Sequence, residues 1–263
     1  MEKIPAYVIS LDTEKYKKVE KEFSALGVQT NLFPAVYGKN LSKEELESLV
    51  HPYALYTIQN GRRLNFEIST LGAVGCSLSH IKLWQHLLNS GEEAIHVLED
   101  DANVSSDKEQ INKFLEAVPS DWELVFLGFG KSLTAGKDLK VSEDVYRVTS
   151  YVALTHSYII NRRGAEKLLA KALPIVHAID AHIPMTAMYG GLVAYRPAKQ
   201  HIKQAYTLYS SVQLGLRSPV GMIRDMSMTT YTSLPSSVII LSFFIALFSV
   251  VSYLIKKAAK LVR

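Results

Sequence analysis

Short apolar runs of about five residues alternate along this chain with segments whose apolar residues recur every three or four positions. That alternation predicts an α/β fold, with helices covering the faces of a largely parallel sheet. Ala6–Leu11 reads as the first strand. Asp12 or Thr13 can cap a helix that puts Tyr16, Val19, Phe23 and Leu26 on one face, and Gly27 stands where that helix should stop. Val28–Phe33 resumes as a strand, and Ser42-Lys43-Glu44-Glu45 is a capping box opening a helix to about Val50. Residues 51–69 read as irregular, and a helix is expected from about Thr70 to Asn89. Ala94–Leu98 is a strand that finishes in Glu99, Asp100 and Asp101. Asp107 caps a further helix carrying Ile111 and Phe114. Strands are expected at Glu123–Leu127, Tyr151–Ile160 and, last, Leu192–Tyr195, with a helix over Arg163–Leu173.

The 263 residues are 48% apolar and 21% charged, which supplies a sizeable core and excludes a disordered or collagen-like chain. Cys76 is the single cysteine, so no intrachain disulfide can form. It lies in an apolar stretch and reads as a packing residue. Lys256, Lys257, Lys260 and Arg263 account for the whole formal charge of +4. The remaining chain is neutral, which excludes a nucleic-acid groove.

The tail has its own character. Val238–Ile255 is a run of 18 residues without a charge, apolar on every helical face. The expected organisation is a folded domain over residues 1–206, a linker over 207–235 and a membrane-associated segment with a basic tail over 236–263. No run near Met1 reads as a signal peptide. The expected place is therefore the cytoplasmic face of a bacterial inner membrane.

Three carboxylates at the end of an apolar strand are the sharpest chemical feature. Ligands of open α/β sheets collect at the carboxyl ends of strands. Clustered carboxylates there suit a hard divalent cation, Mg²⁺ or Mn²⁺, that can neutralise a diphosphate.

Further residues place this triplet in a family. Gly72-Ala-Val-Gly75-Cys76-Ser-Leu-Ser79-His80, then Trp84, then Val97-Leu-Glu99-Asp100-Asp101 resembles glycosyltransferase family 25. Its members build lipopolysaccharide or lipooligosaccharide chains, and relatives glycosylate collagen. Phe33-Pro-Ala-Val-Tyr-Gly38 and Ser157-Tyr-Ile-Ile-Asn161 extend the resemblance, as does Ile179-Asp180. Ser10 stands where the family often carries Asn, and Ala73 where an acidic residue is usual.

The resemblance implies a GT-A-type nucleotide-sugar-binding domain. It also implies metal-dependent transfer of a hexose, most often galactose from UDP-galactose, with inversion, onto a lipopolysaccharide or other glycolipid or oligosaccharide acceptor. Carried over residue by residue, Glu99 and Asp101 are the expected metal ligands. Ser10, Leu11, His80 and Asp100 are expected at the substrates, and Asp180 is the candidate base. His201 is a weaker candidate for completing the metal site, and Arg62 and Arg63 for touching acceptor phosphate. The rival reading is a catalytically degenerate scaffold in an envelope-assembly complex. A nucleotidyltransferase would want a Gly-rich or Lys-bearing phosphate loop after the first strand, and Ser10-Leu-Asp-Thr-Glu14 has neither.

Overall fold

The computed structural model describes residues 4–61, 67–130 and 137–205, with 209–210 and 215–216. The expected membrane segment, most of the expected linker, and Arg62 and Arg63 lie outside the described residues. Among the described residues no helix is long and apolar enough to cross a membrane.

Strand β1 (Ala6–Ser10) leads into α1 (Thr13–Ser24), whose first amides at Glu14 and Lys15 are accepted by the Asp12 side chain. β2 (Thr30–Pro34) follows. The Ser42 capping box then opens α2 (Lys43–Leu49) with both reciprocal hydrogen bonds present. The stretch expected to be irregular contains α3 (Pro52–Asn60). Its cap is His51, whose Nδ1 accepts the Tyr53 amide, and Pro52 presets the first turn. Histidine is not among the usual cap residues, which is why the start is hard to read.

Thr70 caps α4 (Leu71–Asn89), which is followed by β3 (Ala94–Glu99) and β4 (Ala102–Val104). Asp107 caps α5 (Lys108–Ala117), and β5 (Leu124–Gly128), β6 (Leu139–Lys140) and β7 (Val145–Arg147) come next. β8 is confined to Ser157–Asn161. The first half of the expected strand at Tyr151–Ile160 is irregular, with Leu154 at a φ of 72°. Asn161 caps α6 (Arg162–Leu169), and α7 spans Ile179–Met188. Leu192–Tyr195 is not the last strand. β9 is Ala194–Pro197, β10 (Ile202–Gln204) pairs with β4, and β11 (Tyr209–Ser210) pairs with β12 (Gly215–Leu216) inside the expected linker.

The main sheet runs in the order β2-β1-β3-β8-β5-β9-β7-β6. β2, β1, β3, β5, β9 and β6 point one way, so the sheet is largely parallel as expected, while β8 and β7 run against them. Both faces are covered. Ile95 and Val97 of β3 enter a core with Leu78, Trp84 and Leu168, while Leu98 enters the opposite core with Phe23, Ile111 and Phe114. The period-2 alternation of a strand thus feeds two apolar layers at once.

His96, between them, is fully buried against Phe23 with Nε2 2.9 Å from Ser157 Oγ. Burial pushes its pKa down to about 3. The unfolded chain then binds the extra proton below about pH 6.5, so stability falls with pH in that window. Between pH 6.5 and 5 this single residue should remove about 2 kcal/mol. Denaturant titrations of His96→Gln at pH 7.5 and 5 should show a smaller loss between the two pH values than the parent shows. An equal loss would exclude His96 as a source.

One contact fixes the edge of the sheet's functional end. A Cβ on Gly75 would run into the Val36 carbonyl, and one on Gly38 into the Leu71 carbonyl. The two glycines therefore let α4 touch the chain that follows β2 backbone to backbone. Ser79 Oγ donates to the Gly75 carbonyl (2.7 Å) and accepts the Val36 amide (2.8 Å), which ties that loop to the helix.

Candidate active site

The carboxyl ends of β2, β1 and β3 lie side by side, because these three strands are parallel and Ile9 is in register with Glu99. A cleft opens there, the expected place for a ligand. Ser10, Leu11, His80, Glu99 and Asp100 all line it, with Gly72, Cys76 and Ser79 of α4 completing the wall. Five of the seven expected site residues are thus gathered at one opening. Asp101 and Asp180 are not part of its lining.

The spacing on α4 explains the motif. Gly72, Cys76, Ser79 and His80 recur at helical intervals, so one stripe of the helix faces both the loop after β2 and the cleft. Gly72 brings the helix's first turn to the opening, where its dipole favours an anion such as phosphate.

Each carboxylate of the triplet faces a different element. Glu99 accepts from Thr155 Oγ1 at 2.7 Å, and its Oε1 lies 3.5 Å from His80 Nε2. Burial alone would raise the Glu99 pKa. The facing imidazole of His80, with Thr155 and His156, outweighs burial and holds it below its ordinary value. Asp100 accepts from Ser10 Oγ at 2.7 Å and faces Lys15 at 3.8 Å. Burial raises it, and Ser10 partly offsets the rise. Asp101 accepts from Gln204 Nε2 at 2.9 Å through Oδ2, while its buried Oδ1 has no hydrogen-bond partner. Burial, then the charge of Glu99, pushes Asp101 up to about 7.

His80 is wholly buried. Its Nδ1 sits 2.8 Å from Tyr158 Oη, which also accepts from Trp84 Nε1 at 2.9 Å. Cys76 lies one turn before His80. Burial raises its thiol pKa well above the ordinary value, and Glu99 and Asp180 raise it further. Asp180 is in the first turn of α7 rather than at its cap, which is Ala178. Tyr151 Oη donates to the Asp180 carbonyl at 3.1 Å.

His201 is placed elsewhere. The β10–β4 register sets Gln204 opposite Ala102, while His201 Nδ1 lies 2.9 Å from Ser106 Oγ. Gln204, not His201, is therefore the C-terminal neighbour of the triplet. Thr155, His156 and Gln204 are the contributors that sequence reasoning missed, since none stands in a motif. A larger cavity of about 250 Å³ is lined by Ser77, Ile81, Ile175, His177 and His182 among others, but no carboxylate lines it.

Comparison with known proteins gives a consistent picture. The profile of "Glycosyltransferase family 25 (LPS biosynthesis protein)" matches residues 3–183. A glycosyltransferase 25 family member of Aedes aegypti is 29% identical over 186 residues, 68% of this chain and 30% of that protein. Procollagen galactosyltransferase 1 of Danio rerio is 28% identical over 176 residues, 60% of this chain and 27% of that protein. The chain thus spans less than a third of the length of these relatives. A structure of UDP-glucose pyrophosphorylase complexed with UDP-glucose aligns with a TM-score of 0.42 at 13% identity, over 87% of this chain and 98% of that one.

Proposed function

Because the chain belongs to glycosyltransferase family 25, we propose that it transfers a hexose from a nucleotide-sugar donor to a sugar acceptor. In its finer form the reading is an inverting, metal-dependent transfer on a GT-A-type domain. The donor is UDP-galactose, and the acceptor is a lipopolysaccharide or lipooligosaccharide at the cytoplasmic face of a membrane. The observation that carries it is the cleft at the carboxyl ends of three parallel strands, which collects Ser10, Leu11, His80, Glu99 and Asp100.

The residues divide the work. The first turn of α4 at Gly72 offers amides to the donor's phosphates, and Ser10 orients Asp100 beside it. Asp180 takes the proton of the acceptor hydroxyl as the sugar is displaced. The unpartnered Oδ1 of Asp101 fits a cation, since a buried carboxylate oxygen without a donor is costly unless something positive meets it. Glu99 and Asp101 would hold Mn²⁺ or Mg²⁺, which supplies charge neutralisation for the departing diphosphate.

The scaffold reading has one observation in its favour. Every carboxylate of the triplet already has a protein partner, in Thr155, Ser10 and Gln204. Incubation with a panel of UDP-hexoses, with Mn²⁺ or with a chelator, separates the two. Metal-stimulated release of UDP supports the enzyme. No binding or turnover of any nucleotide sugar under either condition would establish the scaffold.

A further inference from the structure

We propose that Cys76, His80 and Glu99 form a binding site for a borderline divalent cation of the Zn²⁺ type, open to the cleft. Cys76 and His80 stand four residues apart on α4, so their side chains lie on one face a turn apart. Glu99 reaches them from the end of β3. One ligand atom of each lies within 4.8 Å of the other two.

The independent observation is His80. The residue is wholly buried and held through Nδ1, yet its Nε2 has no hydrogen-bond partner. Nε2 lies 3.5 Å from Glu99 Oε1, long for a charge-assisted hydrogen bond, which runs to about 2.9 Å. A tetrahedral ion with bonds of about 2.0–2.1 Å to nitrogen and oxygen separates those two atoms by about 3.3–3.4 Å. The spacing is that of two ligands of one ion.

The donor set selects the metal. A thiolate, an imidazole and a carboxylate together suit Zn²⁺ or Co²⁺ and not Mg²⁺, which takes oxygens. The surrounding contacts are those of a metal centre. Tyr158 Oη meets the far nitrogen of His80, Trp84 steadies Tyr158, and Thr155 donates to Glu99. Asp100, Asp101 and Asp180 add negative potential at the same point. Cys76 and Glu99 are partly exposed at the cleft, which gives an entry path and room for a water as fourth ligand. On binding, the Cys76 sulfur–hydrogen bond breaks, the sulfur keeps the electron pair for the metal, and the proton leaves to solvent.

An ion seated here takes Glu99 away from Asp101. Zn²⁺ should therefore oppose Mn²⁺ in sugar transfer, a consequence that rests on the proposed function. The binding itself does not, and it can be measured without any donor sugar. Titrating the untagged, metal-free full chain with Co²⁺ should produce a near-ultraviolet thiolate-to-cobalt band at one equivalent, which Zn²⁺ abolishes. Cys76 is the single cysteine, so such a band has one possible source. It should vanish in Cys76→Ser, persist in Asp101→Asn, and require about 10- to 100-fold more Co²⁺ in Tyr158→Phe, which loses the partner of Nδ1. Should Cys76→Ser fail to fold, equimolar Zn²⁺ must still slow alkylation of Cys76 in the parent. Absence of the band, or alkylation indifferent to Zn²⁺, overturns the site.

Discussion

Asp101→Asn is expected to lose sugar transfer and to gain stability. At neutral pH and above, Asp101 is a buried carboxylate beside Glu99, with one oxygen unpartnered and its pKa pushed up to about 7. The folded chain holds this proton longer than the unfolded chain, whose carboxyl titrates near 3.9. Stability from this site is therefore full below about pH 4 and is lost as pH rises towards about 7. Asn cannot ionise, and it still offers an oxygen to Gln204 Nε2. At pH 8 its Tm should exceed the parent's. The charge is kept, then, for something other than the fold. If that is a cation at the leaving diphosphate, transfer should fall by about 10²- to 10³-fold, the scale of losing one transition-state charge stabiliser. Transfer at the parental rate from a stabilised Asp101→Asn protein would remove Asp101 from the mechanism.

The second large effect is expected at Asp180. Its position in the first turn of α7 suits a negative charge near the helix's positive end. The contact from Tyr151 goes to the backbone carbonyl, so replacing the side chain leaves it in place. Asp180→Asn should keep the fold and bind the nucleotide sugar with parental affinity. Turnover should drop about 10²- to 10⁴-fold, as when a general base is removed. Calorimetry finding donor binding lost in step with turnover would instead make Asp180 a donor ligand.

Most of the helices and the first three strands could be read from the chain because their signals are local. Asp12, Ser42, Thr70 and Asp107 each take a cap or first-turn position beside a clear period. The same locality explains the misses. The direction of β8 depends on which neighbours it joins, and nothing within Ser157–Asn161 records that it lies between β3 and β5. The expected strand from Tyr151 ran too long because Tyr151 and Val152 share the β-type composition of the true strand. At the site, Glu99 and Asp100 were legible as a strand end, where ligands gather, and Ser10 and Leu11 through the family resemblance. Thr155 and Gln204 were not. Each comes to its carboxylate through a pairing between distant segments, which no spacing within the sequence reports. His80 was legible as the end of the Gly72–His80 run that carries the family resemblance, and otherwise as a histidine in an amphipathic helix. Its character comes from Tyr158 and Glu99, 78 and 19 positions away.

The reversed strand matters for how such a cleft can be varied. β8 delivers its entrance, not its exit, to the edge where β3 ends, so Thr155 and His156 arrive from a segment not yet committed to the sheet. A randomised library at Ala153, which is half-buried and flanked by the core residue Val152, would reshape the approach to Glu99 while leaving the ladder from Ser157 onward intact. The sheet then serves as a fixed mount, with a replaceable part ahead of it.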